Sequence, residues 1–150
     1  MKTLDVLLGE IELFHELEPK HIEFLAGCAS NVIFQADELV IKEGAPAKHF
    51  FIIRHGTVSV DIHDPRRGYL RLLTVSENEV LGWSWMFPPY RSRFDARAQS
   101  LVRAVALDGA CIRQKCEDDQ VFGYHFYKLF SRVLIHRLEA ARMQMANVYG

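Results

Sequence analysis

The sequence predicts an α+β domain, with a barrel of short strands rolled up between N-terminal helices and one long C-terminal helix. Three observations carry this. Apolar residues from Leu4 to Cys28 recur every three or four positions, the period of a helix face. From Asn31 to about Asp108 the runs are brief, several alternate with a period of two, and they are punctuated by glycine, proline, asparagine and aspartate. That is the pattern of many short strands in a sandwich or barrel. From Gln120 to about Ala146 there is no proline and a single glycine, Gly123, and an apolar stripe repeats about every 3.5 residues.

In chain order, Leu4, Leu7, Leu8, Ile11 and Phe14 form a first helical face, and Ile22, Phe24 and Leu25 a second. Pro19 opens the second helix, where a missing N–H removes no bond. His15, His21, His125 and His136 fall on helices and are expected at their polar edges. Val32 and Phe34, then Leu39 and Ile41, mark strands before a turn at Glu43-Gly44. Phe50 to Ile53 is a short apolar strand, and His55-Gly56 breaks it. Val58 and Val60 alternate with Thr57, Ser59 and Asp61, a half-buried strand. Asp64 to Gly68 loops back to a strand running to Val75, and Glu77-Asn78-Glu79 turns again, with Asn78 suited to a left-handed conformation. Ala96, Ala98, Val102, Ala104 and Ala106 read as a last strand pair. The barrel spans about residues 30–115 and the long helix about residues 120–146, within one domain of residues 1–150.

At 150 residues the chain can bury roughly 70% of its unfolded surface, enough for a real core. A formal net charge of −1 gives no global attraction to nucleic acid or anionic membrane. No apolar run approaches the roughly 20 residues of a spanning helix, and Asp5, Glu10 and Glu12 interrupt the start. Three cysteines, an odd number, favour a reduced cytoplasmic protein over a disulfide scaffold. Cys111 and Cys116 lie five apart, which is not a zinc or redox spacing, and no His-x-His pair is present, so no metal site is expected. Nucleophile elbows and Walker loops are absent, which favours a non-enzymatic role.

The segment from Leu81 to Ala98 carries the most functional information: a framing Gly82, a turn, a short helix, then a strand. With Leu13-Phe14 before a helix, Val40 to Ala47, and Phe51 to Val58, it completes four phrases in order. In these phrases the chain resembles the cyclic nucleotide-binding domain shared by catabolite-activator-type (Crp–Fnr) regulators, cyclic nucleotide-dependent kinase subunits and gated channels. The resemblance covers roughly residues 13–146. It implies a double-stranded β-helix (jelly-roll-like) barrel and a pocket for a cyclic nucleotide, cAMP or cGMP, or another small anionic effector.

In that family the cassette opens glycine–glutamate and reaches an arginine, then small residues with threonine or serine. Helix amides and the arginine meet the phosphate, and the glutamate accepts from the ribose. Here Gly82 and Ala98 match, while Trp83 stands at the glutamate, Ser92 at the arginine and Asp95 at the threonine or serine. A one-residue slip around Pro88-Pro89 would bring Arg91 or Arg93 to the phosphate. The resemblance thus implies a site of Gly82, Trp83, Ser84, Trp85, Arg91, Ser92, Arg93, Phe94 and Asp95, with the amides of Trp83 and Ser84 facing an anion. Asp95 either pairs with Arg91, Arg93 or Arg97 or seeks a donor on a ligand. Trp85 and Tyr90 either stack on a planar ligand or belong to the core.

The expected role is regulatory, signalling through the C-terminal helix to a dimer mate or protein partner. Phe130, Leu134, Leu138, Ala141 and Met145 would form the seam of a homodimer, the alternative being that the stripe packs wholly on its own domain. The alternative is a ligand-free scaffold whose pocket is plugged by Trp83 and Trp85. The helix-turn-helix of DNA-binding relatives would follow the long helix. The sequence ends at Gly150, so it is either a stand-alone sensor, the preferred expectation, or a fragment of a longer protein, and no DNA binding is expected of this chain alone.

Overall fold

The computed structural model describes residues 3–149. Helix α1 (Leu4–Gly9), one 3-10 turn at Glu12–Phe14 and α2 (Pro19–Gly27) open the chain. Leu8, Ile11, Phe14 and Leu25 point inward as their spacing requires, and Pro19 occupies the first turn of α2. His21 departs from expectation, being buried rather than at a polar edge. Phe122, from the long C-terminal helix, packs edge-on against both His21 and Phe24, burying His21 and leaving Phe24 half-buried.

Eight strands follow: β1 (Ala29–Phe34), β2 (Leu39–Ile41), β3 (His49–His55), β4 (Val58–Asp64), β5 (Gly68–Val75), β6 (Val80–Leu81), β7 (Asp95–Ala98) and β8 (Val102–Asp108). They form two four-stranded antiparallel sheets, β1-β8-β3-β6 and β2-β7-β4-β5. Because the chain passes repeatedly from one sheet to the other, the sheets close as a jelly roll. Its interior pairs bulky residues with alanine: Phe51 lies opposite Ala106, Ile53 opposite Ala104, Val58 opposite Ala98 and Val60 opposite Ala96. Large against small fills a narrow barrel without voids. Gly56 closes the β3–β4 turn at φ 89°, and a Cβ there would lie 2.3 Å from the Leu101 carbonyl oxygen. No other residue fits. Asn78 takes the left-handed conformation its type allows, at φ 68°.

The outer face of the first sheet is covered too. Phe50, Ile52, Val105 and Leu107 pack against Trp85, Phe122, Phe126 and Phe130 in a second core. Burial on both faces explains why Phe50 to Ile53 reads as an unbroken apolar run.

Two expectations need correction. The barrel ends at Asp108, and residues 109–118 are helical: α3 (Gly109–Asp118) precedes α4 (Gln120–Tyr149). Asp108 caps α3, its carboxylate accepting from the Cys111 amide at 3.1 Å. Helical periodicity gave little sign of α3 because Ile112 is its only buried side chain of any size. The cysteines are not all reduced, since Cys28 and Cys111 form a disulfide with Cα atoms 6.0 Å apart. An odd count misled here, because folding brings the end of α2 beside the start of α3 across 83 residues of sequence.

Helix α4 divides into two halves. Phe122, Phe126, Leu129 and Phe130 are buried in the chain's own core, which removes Phe130 from any dimer seam, and Leu134 is half-buried against the same core. The Arg137 guanidinium donates to the Val80 carbonyl at 2.6 Å and lies 3.7 Å from Glu79. Burial lowers its pKa, and the Glu79 charge opposes that shift. Beyond Arg137 the helix runs over β5, the Gln144 amide donating to the Leu72 carbonyl at 3.0 Å. Leu138 and Met145 there remain 61% and 60% exposed. Among the described residues, no helix is long and apolar enough to cross a membrane.

Candidate ligand-binding site

The cassette begins where β6 ends. Gly82 turns the chain at φ 100°, against the His49 carbonyl and Ile41. The helix that follows is a single 3-10 turn, Ser84–Met86. Pro88 and Pro89 prevent continuation, since proline lacks an N–H and pushes the preceding residue out of the helical region. One 3-10 turn carries little of a helix dipole, so an anion facing the amides of Trp83 and Ser84 would meet single N–H groups rather than a helix terminus.

Tyr90 turns the chain at φ 55°, and from Arg91 it lies antiparallel to the β2–β3 loop. The Gly44 amide donates to the Ser92 carbonyl at 2.7 Å, the Ser92 amide to Ala45 at 2.9 Å, and the Ala47 amide to Tyr90 at 2.7 Å. Strand alternation then settles which side chains face inward. Ser92, Phe94, Ala96 and Ala98 are buried, whereas Arg91, Arg93 and Arg97 are exposed. Arg91 donates to the Gly44 carbonyl at 2.9 Å, bracing the loop from outside. Asp95 makes no ion pair with Arg91, Arg93 or Arg97 among the described residues; its carboxylate accepts from the Glu43 amide at 2.8 Å.

The inward Ser92 lines a half-enclosed cavity of about 300 Å³ beside Gly82. Its apolar wall includes Ile41 and Phe51, and its other polar side chains are Lys42, Lys48 and His49. Its lining includes no carboxylate. Ser92 is 7% exposed, and its hydroxyl has no hydrogen-bond partner among the described residues. A hydroxyl that faces the cavity, beside two lysines and an imidazole, is chemistry suited to a small anion with an apolar body. Sequence reasoning missed Lys42, Lys48 and His49. Their signal was the Lys42-Glu43-Gly44 turn, but its pairing with the cassette is a long-range contact.

The aromatic residues of the cassette face elsewhere. Trp83 is half-buried with its ring 5.0 Å from that of Phe94. Trp85 is fully buried, stacked on Phe50 at 5.0 Å and Tyr127 at 6.4 Å, and edge-on to Phe126 and Phe130. Helix α3 grips this turn. The Arg113 guanidinium donates to the Trp85 carbonyl at 2.6 Å and covers the Tyr90 ring at 4.0 Å. Gly109 is required there, since a Cβ would sit 2.8 Å from that of Trp85. Arg113 thus covers the ring of the half-buried Tyr90, and Trp85 is core.

The family model for the cyclic nucleotide-binding domain matches residues 31–119. Among solved structures, the chain is similar to a protein from Geobacter metallireducens described as cyclic nucleotide-binding, with TM-score 0.80, 22% identity, and 92% of this chain and 99% of that one covered. It is also similar to a cyclic nucleotide-binding domain from Methylobacillus flagellatus, with TM-score 0.81, 16% identity, and coverage of 97% and 82%. A third is the regulatory subunit of a cAMP-independent protein kinase A from Trypanosoma cruzi, bound to guanosine, with TM-score 0.66, 20% identity, and coverage of 84% of this chain and 48% of that one. At these identities the likeness speaks for the fold. No curated protein matches the sequence.

Proposed function

The chain belongs to the cyclic nucleotide-binding domain family, and from that membership we propose a regulatory, non-catalytic sensor for a small anionic effector. The observation that carries the reading is the cavity beside Gly82, with the unpartnered Ser92 hydroxyl inside and Lys42, Lys48 and His49 around it. The ligand's charge would be met by the β2–β3 loop, because Lys42 and Lys48 line the cavity and neither Arg91 nor Arg93 does. Ribose recognition is altered as well. Trp83 stands at the family's glutamate position, and an indole donates but never accepts. Cyclic AMP and cyclic GMP are therefore expected to bind less well than a small anion without a ribose to satisfy. The Trypanosoma cruzi relative, cAMP-independent and bound to guanosine, supports the view that this fold accommodates other ligands.

Transmission would run from the cassette through α3 to α4. Arg113 and Gly109 hold the cassette to α3, and only Asp119 separates α3 from α4. An effector that binds one arrangement of these contacts better than another shifts their balance. The outer half of α4, with Leu138, Ala141 and Met145 exposed, would present the signal to a dimer mate or partner protein.

A second reading has its own observation. Trp83 packs on Phe94 and Trp85 is fully buried, as expected of a ligand-free scaffold. A thermal-shift and tryptophan-emission panel of cyclic AMP, cyclic GMP, inorganic phosphate and short carboxylates separates the two. The sensor reading expects at least one anion to raise Tm in proportion to the logarithm of its concentration. If every member leaves both Tm and emission unmoved, the scaffold reading replaces it.

A further inference from the structure

We propose that Cys28 and Cys111 form a reversible thiol–disulfide modification site, opened by a dithiol reductant, that sets how tightly α3 holds the cassette. Cys28 caps the C-terminus of α2, and Cys111 lies in the first turn of α3. The bond therefore ties α3 to α2 at the turn from which the cassette is gripped. Two residues before Cys111, Gly109 is in contact with Trp85, and its amide donates to the Lys48 carbonyl at 2.8 Å. Two residues after it, Arg113 holds the Trp85 carbonyl and covers Tyr90. Lys48 also lines the cavity beside Gly82, so one turn of α3 touches the disulfide, the cassette and the cavity wall.

The step is a two-electron exchange. A thiolate of the reductant attacks the Cys111 sulfur, that of the more exposed partner, and Cys28 leaves as a thiolate and takes a proton. The reductant's second thiol then displaces Cys111, leaving both cysteines as thiols and the reductant as its own cyclic disulfide. Reoxidation by a disulfide of the same class reverses both steps. The third cysteine does not interfere. Burial, then the charges of Glu117 and Asp119, push the Cys116 thiol up to about 11, so it offers almost no thiolate to scramble the pair at neutral pH. With the bond open, the contacts left between the two ends are the Asp108 amide to Cys28 carbonyl hydrogen bond, 2.9 Å, and the surrounding packing.

The test uses the full chain without ligand, so its outcome is independent of whether an effector binds. Alkylation in denaturant is expected to label one cysteine before treatment with dithiothreitol and three after it. Below the melting temperature, reduction is expected to shift tryptophan emission to the red and to raise hydrogen exchange in the first turn of α3 by about tenfold or more. Reoxidation should restore both. Cys28→Ser should match the reduced protein in emission, and Cys116→Ser should keep the reducible bond. Three cysteines labelled in protein purified without reductant would overturn the proposal. So would a reduced protein whose emission and exchange at α3 equal those of the oxidised one.

Discussion

Trp85→Ala is expected to destabilise the protein by about 3–5 kcal/mol, the cost of emptying a fully buried aromatic site. The indole ties the cassette to two elements at once: it stacks on Phe50 of β3 and on Tyr127 of α4, and meets Phe126 and Phe130 of α4 edge-on. These neighbours are anchored on a sheet and a long helix, so they cannot collapse far into the space left behind. Aromatic pairing adds to the loss from burial alone. At this chain length the change corresponds to a fall in Tm on the order of 10 °C. Urea unfolding should show a lower midpoint with an unchanged slope. A loss below about 1 kcal/mol would mean that the cassette is not docked on α4 as described. Because the indole N–H has no partner among the described residues, Trp85→Phe should be far milder, losing volume but no hydrogen bond.

Removing the Cys28–Cys111 bond is the second large effect. The closed loop spans 83 residues, the whole barrel, and the chain-entropy account of cross-links assigns such a loop about 4.5 kcal/mol. The expected loss in Cys28→Ser/Cys111→Ser is therefore several kcal/mol, seen as a lower urea midpoint. The same variant should be indifferent to dithiothreitol, whereas the wild-type protein should fall towards it. A wild-type midpoint that reductant leaves unchanged would contradict the bond.

Much of this molecule was legible because its signals are local. The strand run from Val32 to Ala106, the Asn78 turn and the Pro19 helix start follow from side-chain period and backbone preference. The long helix followed from its stripe. What stayed hidden depends on contacts distant in sequence. Phe130 belongs to its own core because sheet one is covered by α4, and nothing in the heptad pattern separates that from a dimer seam. His21 is buried by Phe122, 101 positions away in the chain (122 − 21). The disulfide and the pairing of Gly44 and Ala45 with Ser92 are invisible for the same reason. The candidate site was half legible. Gly82 and Ser92 were named from the cassette, but strand parity, which turns Arg91 and Arg93 outward, required knowing where the extended segment begins. Lys42 and Lys48 become cavity residues only once the loop lies along the cassette.

In the proposed sensor, charge at the pocket comes from the β2–β3 loop and not from the cassette. Calorimetric titration of inorganic phosphate and of cyclic AMP into two double variants tests it most directly. Lys42→Gln/Lys48→Gln is expected to weaken phosphate binding about tenfold or more, the scale of one or two charge-assisted hydrogen bonds. Arg91→Gln/Arg93→Gln should stay within about twofold of the wild type, since neither guanidinium lines the cavity. The opposite pattern, with binding lost in the arginine variant and kept in the lysine variant, would contradict the account.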